Sequence, residues 1–142
     1  MKIKFFIKIL LVYFSFFTLN ISAENKFFEE GKNLFEKKNF EKARFKFEQD
    51  IVRNPKSENS YLYLANIFKE EKKVNLQEQN LKTVILLNPK NETALFSLAL
   101  LNIEKSNYSE VKKLLKTFNK VCKSICSKSS EIQKKLKNSQ NK

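Results

Sequence analysis

The only two thiols of this chain, Cys122 and Cys126, are separated by three residues and form the one nucleophilic or metal-binding couple that the sequence offers. An even cysteine pair in an exported protein is read first as a disulfide. On an unbroken helix, Cβ atoms at this spacing would lie about 5–6 Å apart, beyond the roughly 3.5–4.5 Å that a bridge requires. A bridge therefore needs a turn between the two. Two free thiols are the second reading. A redox or metal-binding pair is the third, and a two-residue spacing would serve that chemistry better. The chain has no His, which removes Ser-His and Cys-His nucleophile pairs and imidazole ligands, and Gly31 is its only glycine, which removes a phosphate-cradling loop. An enzyme would have to work with Glu, Lys, Tyr or Cys alone, and no motif groups them. No catalytic residue, metal or cofactor is expected.

The second chemical resource is positive charge. Lys and Arg number 28 against 15 Asp and Glu, a formal +13. The excess is not evenly spread. Residues 24–111 hold 15 basic and 14 acidic groups, whereas residues 112–142 hold 10 Lys and only Glu131. The basic patch comprises Lys112, Lys113, Lys116, Lys120, Lys123, Lys128, Lys134, Lys135 and Lys137. It contains no Arg and no nucleic-acid reading motif, so nucleic acid is not an expected partner. An anionic membrane surface or cell-wall polymer suits it better, and a merely solvated, Lys-rich end is the plainer reading.

Three further lysines open the chain. Lys2, Lys4 and Lys8 lead into an apolar run over residues 9–19, followed by Ile21-Ser22-Ala23, which is the pattern of a secretory signal peptide cleaved after Ala23. The run of 11 residues is well short of the roughly 20 that a spanning helix needs. An uncleaved anchor is the alternative. The richness in Lys, Asn, Ile and Phe matches an AT-biased bacterial coding style, so the expected location is a periplasm.

What must position these groups is a repeat. Asn54-Pro55-Lys56-Ser57-Glu58 recurs 34 residues later as Asn88-Pro89-Lys90-Asn91-Glu92. The same ruler aligns small residues at Gly31, Ala65 and Ala99, large apolar ones at Phe47, Leu81 and Leu115, and Phe40, Val74 and Tyr108 in another column. Frames over residues 24–57, 58–91 and 92–125 leave 126–142 as a remainder. Within each frame the apolar residues recur at helical spacing, as in Tyr61, Leu64, Ala65 and Phe68, which predicts two helices of about 14 residues. Asn39, Asn75 and Asn107 are placed to cap the second helix, and Pro55 and Pro89 separate the frames. Few Gly and Pro also disfavour many short strands.

The pattern of Phe27, Gly31, Leu34, Phe40, Ala43, Phe47 and Pro55, then Tyr61, Leu64, Ala65, Phe68, Leu81 and Pro89, then Leu95, Leu98, Ala99, Tyr108, Leu115 and Phe118, resembles the tetratricopeptide repeat family. Glu30, Asp50, Gln77 and Asn102 depart from it, and Lys123 stands where the third proline would fall. The resemblance implies an all-α fold: an α-solenoid of three helix-turn-helix repeats and a C-terminal capping helix. Ile125, Ile132 and Leu136 share a helical face, and the expected start of the capping helix is Ser129 or Ser130. The turn between the third repeat and this cap is where a Cys122–Cys126 bridge would fit, closing a short loop worth about 2 kcal/mol. The resemblance further implies a concave wall built by the first helix of each repeat, used to bind a peptide or helix of a partner, here another envelope protein. Its groove columns are Phe28, Lys32 and Phe35, then Leu62, Asn66 and Lys69, then Phe96, Leu100 and Ile103. Exposed Phe28, Phe35, Phe96 and Ile103 would make this wall apolar.

Overall fold

A computed structural model of the chain describes residues 26–141. The expected signal peptide and its cleavage site lie outside the described residues. All regular structure among the described residues is helical: α1 (Lys26–Glu36), α2 (Phe40–Arg53), α3 (Glu58–Glu70), α4 (Val74–Leu87), α5 (Glu92–Glu104), α6 (Tyr108–Val121) and α7 (Lys128–Gln140). The chain divides into two compact units, one ending at Pro55 and the other beginning at Lys56.

The first unit is the α1–α2 hairpin. Gly31 in α1 faces the ring of the fully buried Phe47 in α2, and a Cβ at this glycine would lie 2.8 Å from that ring. Phe28 packs on the same ring at 6.0 Å between centroids, and Phe35 meets Phe40 at 5.4 Å. Glu30 bridges the two helices to Lys46 at 2.6 Å. That accounts for an acid in a column where the repeat pattern has none.

The second unit holds five helices around one apolar core. Leu81 and Val84 of α4, Leu95, Leu98 and Leu101 of α5, Val111 and Phe118 of α6, and Ile132 and Leu136 of α7 belong to it. Amphipathic spacing commits α6 to this centre, whereas α5 is apolar around most of its circumference and is buried on most sides. Asn102 is buried among these residues, and its side-chain amide donates to the Leu98 carbonyl at 2.9 Å. A buried amide is tolerated once it is hydrogen-bonded.

Each turn within a repeat is closed in the same way. Lys38, Lys72 and Ser106, spaced by the repeat, take φ of 58°, 57° and 56°. Around the second of these, the Lys73 amide donates to the Phe68 carbonyl at 2.8 Å and the Lys72 amide to the Lys69 carbonyl at 3.0 Å. Equivalent pairs close the other two turns. This is a helix end in which a left-handed residue lets two amides satisfy the last free carbonyls, and glycine usually fills that position. An L-residue there costs about 1–2 kcal/mol, partly offset by the chain entropy that glycine would forfeit. Lys72→Gly is therefore expected to raise the free energy of unfolding by about 0.5–1 kcal/mol in a denaturant titration. A fall in stability would instead assign a holding role to the Lys72 side chain.

The ends of the helices differ from expectation at three places. Asn39 caps α2 by accepting from the Lys42 amide at 3.3 Å, but Asn75 lies inside α4, whose N-cap is Lys73, and Asn107 occupies the N-cap of α6 without a side-chain bond. The left-handed turn ending at Lys72 starts α4 earlier than the asparagine would. Asn91, which lies inside the repeated motif, caps α5 by accepting from the Ala94 amide at 2.9 Å. Finally, α7 starts at Lys128 rather than at Ser129 or Ser130, because the amides of Lys128 and Ser129 bond back to the carbonyls of Ile125 and Cys126 and wind the chain directly into the helix.

Candidate functional site

The face expected to recognise a partner is built in the second unit from α3 and α5. Leu62, Phe96 and Leu100 are half-buried and pack against the core, while Asn66 is half-buried and Lys69 exposed. Ile103 does not belong to an exposed patch: it is only 7% exposed and is part of the core. The reason is α7. Its Lys135, Asn138 and Ser139 share with Leu100, Ile103 and Glu104 a hollow of about 240 Å³, and the Tyr108 hydroxyl of α6 donates to the Ser139 carbonyl at 2.9 Å, which fixes the end of that helix. The ammonium of Lys128 lies 5.3 Å from the centroid of the Phe96 ring. A cation over an aromatic face is attracted to it, so this side of the unit carries lysines on its rim as well as apolar groups.

Phe28, Lys32 and Phe35 lie on α1 in the first unit and are half-buried. The two aromatics are engaged with Phe47 and Phe40 of their own hairpin rather than standing exposed. The large apolar side chains that are exposed lie on second helices: Phe45 and Val52 on α2, and Val74, Leu76 and Leu86 on α4.

At the other end of α5 the chain makes a compact polar latch. Helix α6 stops at Val121, Cys122 turns to an extended conformation, and a disulfide joins Cys122 to Cys126 with their Cα atoms 5.3 Å apart. The intervening amides converge on Glu92 in the first turn of α5: those of Lys123 and Ile125 donate to its carboxylate at 2.8 Å each, and that of Ser124 at 3.1 Å. Successive backbone N–H groups in a turn form a concavity that suits an anion. One repeat earlier, Glu58 accepts from the Asn88 side chain at 3.2 Å. Cys122 stands in the column of Asn88 and offers no such amide, so in the last repeat the loop backbone takes over.

The amide of Ile125 first, with those of Lys123 and Ser124, holds the Glu92 carboxyl below its ordinary value of 4.5. A carboxylate with a lowered folded-state pKa contributes stability that is present above the unfolded value and is lost as pH falls through the folded one. The gap in thermal stability between the native chain and Glu92→Gln is thus expected to be widest near neutrality and to close as the pH drops below 4.5. A gap independent of pH would contradict an ionised latch.

The lysines of the basic patch sit on α6, α7 and the loop between them, all of them exposed. Lys113 pairs with Glu110, and Lys128 and Lys135 pair with Glu131. No group of three or more His, Cys, Asp or Glu side chains is gathered among the described residues.

No protein-family model matches the sequence, and no curated protein is significantly similar to it. Solved structures do resemble it. The TPR2B domain of yeast Sti1, in its complex with pHsp70, superposes with a TM-score of 0.70 at 18% identity over 83% of this chain and 96% of that one. The type III secretion chaperone SycD of Yersinia enterocolitica, in complex with a peptide of the translocator YopD, gives 0.74 at 13% identity over 87% and 96%. The TPR domain of Arabidopsis OM64 gives 0.73 at 19% identity over 84% and 98%. The fold is that of a tetratricopeptide repeat domain. Within the tetratricopeptide frame α3 and α5 are first helices, and α4 and α6 are second helices.

Lys128 and Lys135, which the sequence places in the basic patch, were not legible as neighbours of the recognition face, nor Glu92 as the anchor of the latch. The repeat register stops before α7, and lysine on a Lys-rich helix carries no sign of the side it will face. Glu92 did leave a signal, since the repeated five-residue motif ends on it.

Proposed function

We propose that this protein is a noncatalytic interaction scaffold that binds a peptide or helix of a partner protein on the α3–α5 face of its second unit, in the bacterial cell envelope. The observation that carries the reading is the half-buried set of Leu62, Phe96 and Leu100 packed on the core, with Asn66 and Lys69 on the helix of Leu62, Lys128 over the Phe96 ring and Lys135 beside Leu100. Rigid apolar positions ringed by polar groups suit an extended or helical segment, whose apolar side chains gain burial while its polar groups find donors. The solved complexes of Sti1 with pHsp70 and of SycD with a YopD peptide support the same use of the fold. The envelope setting is supported by the lysine-led apolar run and Ala23 of the leader. Partner identity then follows from what this face retains. Phe96→Glu and Leu100→Glu are each expected to weaken co-purification of the partner at least 30-fold, the loss typical of a central anchor, with helical content unchanged by circular dichroism. Retained binding by both variants would refute the assignment of the face.

A further inference from the structure

The outer side of α6 is a second surface. Val111, Leu114 and Phe118 commit the apolar side of this helix to the core. On the opposite side Lys112, Lys113, Lys116 and Lys120 fall within an arc of about 100°, all exposed. Among the described residues, only Lys113 in this group has an acidic partner, Glu110 at 3.2 Å. The fold does not demand these lysines. At the equivalent positions one repeat earlier, α4 carries Glu78, Gln79, Lys82 and Leu86, and its one lysine is paired with Glu78 at 2.7 Å. Four like charges on one helix face repel one another and raise the energy of the free protein, a cost that an anionic partner removes.

One repeat earlier on α4, the column of Lys120 is held by Leu86, which is 81% exposed. We propose that the α6 lysines, with Leu86, form an adsorption surface for an anionic lipid bilayer. Lysines act as point charges and need no bidentate geometry, which suits a fluid array of headgroups, and exposed aliphatic side chains gain from the interfacial region as they would not from a soluble polymer. Adsorption is peripheral. The apolar side of α6 is already used inside the fold, and no helix among the described residues is long and apolar enough to cross a membrane. The surface uses none of the residues assigned to peptide recognition.

The test is sedimentation of the full chain with vesicles of phosphatidylglycerol and phosphatidylcholine, or of phosphatidylcholine alone, at low and high salt. Binding is expected to the anionic vesicles and to weaken with salt. Lys112→Gln, Lys116→Gln and Lys120→Gln together should lower partitioning about 100-fold, roughly five-fold per lysine, and Leu86→Ser should lower it further. A control with Lys72, Lys73 and Lys90 changed to Gln removes the same charge elsewhere and should bind nearly as the native chain does. Equal loss in the control, equal binding to neutral vesicles, or preference for a soluble polyanion such as heparin over the vesicles would each overturn the proposal.

Discussion

A Phe118→Ala chain is expected to lose about 3–5 kcal/mol of unfolding free energy, a large part of the roughly 5–15 kcal/mol that holds a typical domain. Phe118 has no exposed surface and is part of the apolar core to which α4, α5, α6 and α7 all contribute. Its removal deletes a large apolar area and leaves a cavity that four helices cannot close together without breaking their other contacts. The loss should appear in a denaturant titration of the second unit and should expose α7 first, since Ile132 and Leu136 are its only fully committed apolar groups. A loss below about 1 kcal/mol would mean that the core collapses around the gap, and that the five helices are less interlocked than described.

The second large effect is a change of sign. In the first unit Gly31→Ala brings a Cβ to 2.8 Å from the Phe47 ring, which is fully buried and already held against Phe28. Overpacking of this kind costs about 1–3 kcal/mol, against about 1 kcal/mol that alanine gains over glycine in a helix, so the variant is expected to be less stable. The other repeats show the remedy. Where the small column holds Ala65 and Ala99, the facing column holds Leu81 and Leu115 in place of Phe47. In a Phe47→Leu background the same Gly31→Ala change should therefore stabilise, with a coupling of about 2 kcal/mol in the double-mutant cycle. Additive effects would show that the glycine is not there for the ring.

The same two columns show what made the fold legible. Fixed spacing of small and large residues, repeated without insertion, specifies which helix meets which and needs no knowledge of distant contacts. Turn geometry was less legible. The left-handed residues Lys38, Lys72 and Ser106 carry no compositional mark, because ordinary side chains stand where glycine would have announced the turn. That moved the start of α4 ahead of Asn75, to Val74. The recognition face was legible by column but not by exposure. Helical spacing cannot tell how far a later helix will cover an earlier one, and α7 closes over Ile103 while it sends Lys128 across Phe96. The cysteine spacing left three readings open, and the turn after Val121, which brings the two sulfurs together, depends on Glu92 from a helix distant in sequence.

The central claim is that the α3–α5 face holds a segment of another protein, and site-directed photocrosslinking in the native cell tests it most directly. A photoreactive residue at Leu62 or Leu100 should attach one and the same partner, identifiable by mass spectrometry, while the same residue at Gln79 on the outer side of α4 should attach none of it. Attachment of that partner only from Gln79, or of no protein from Leu62 and Leu100, would contradict the account.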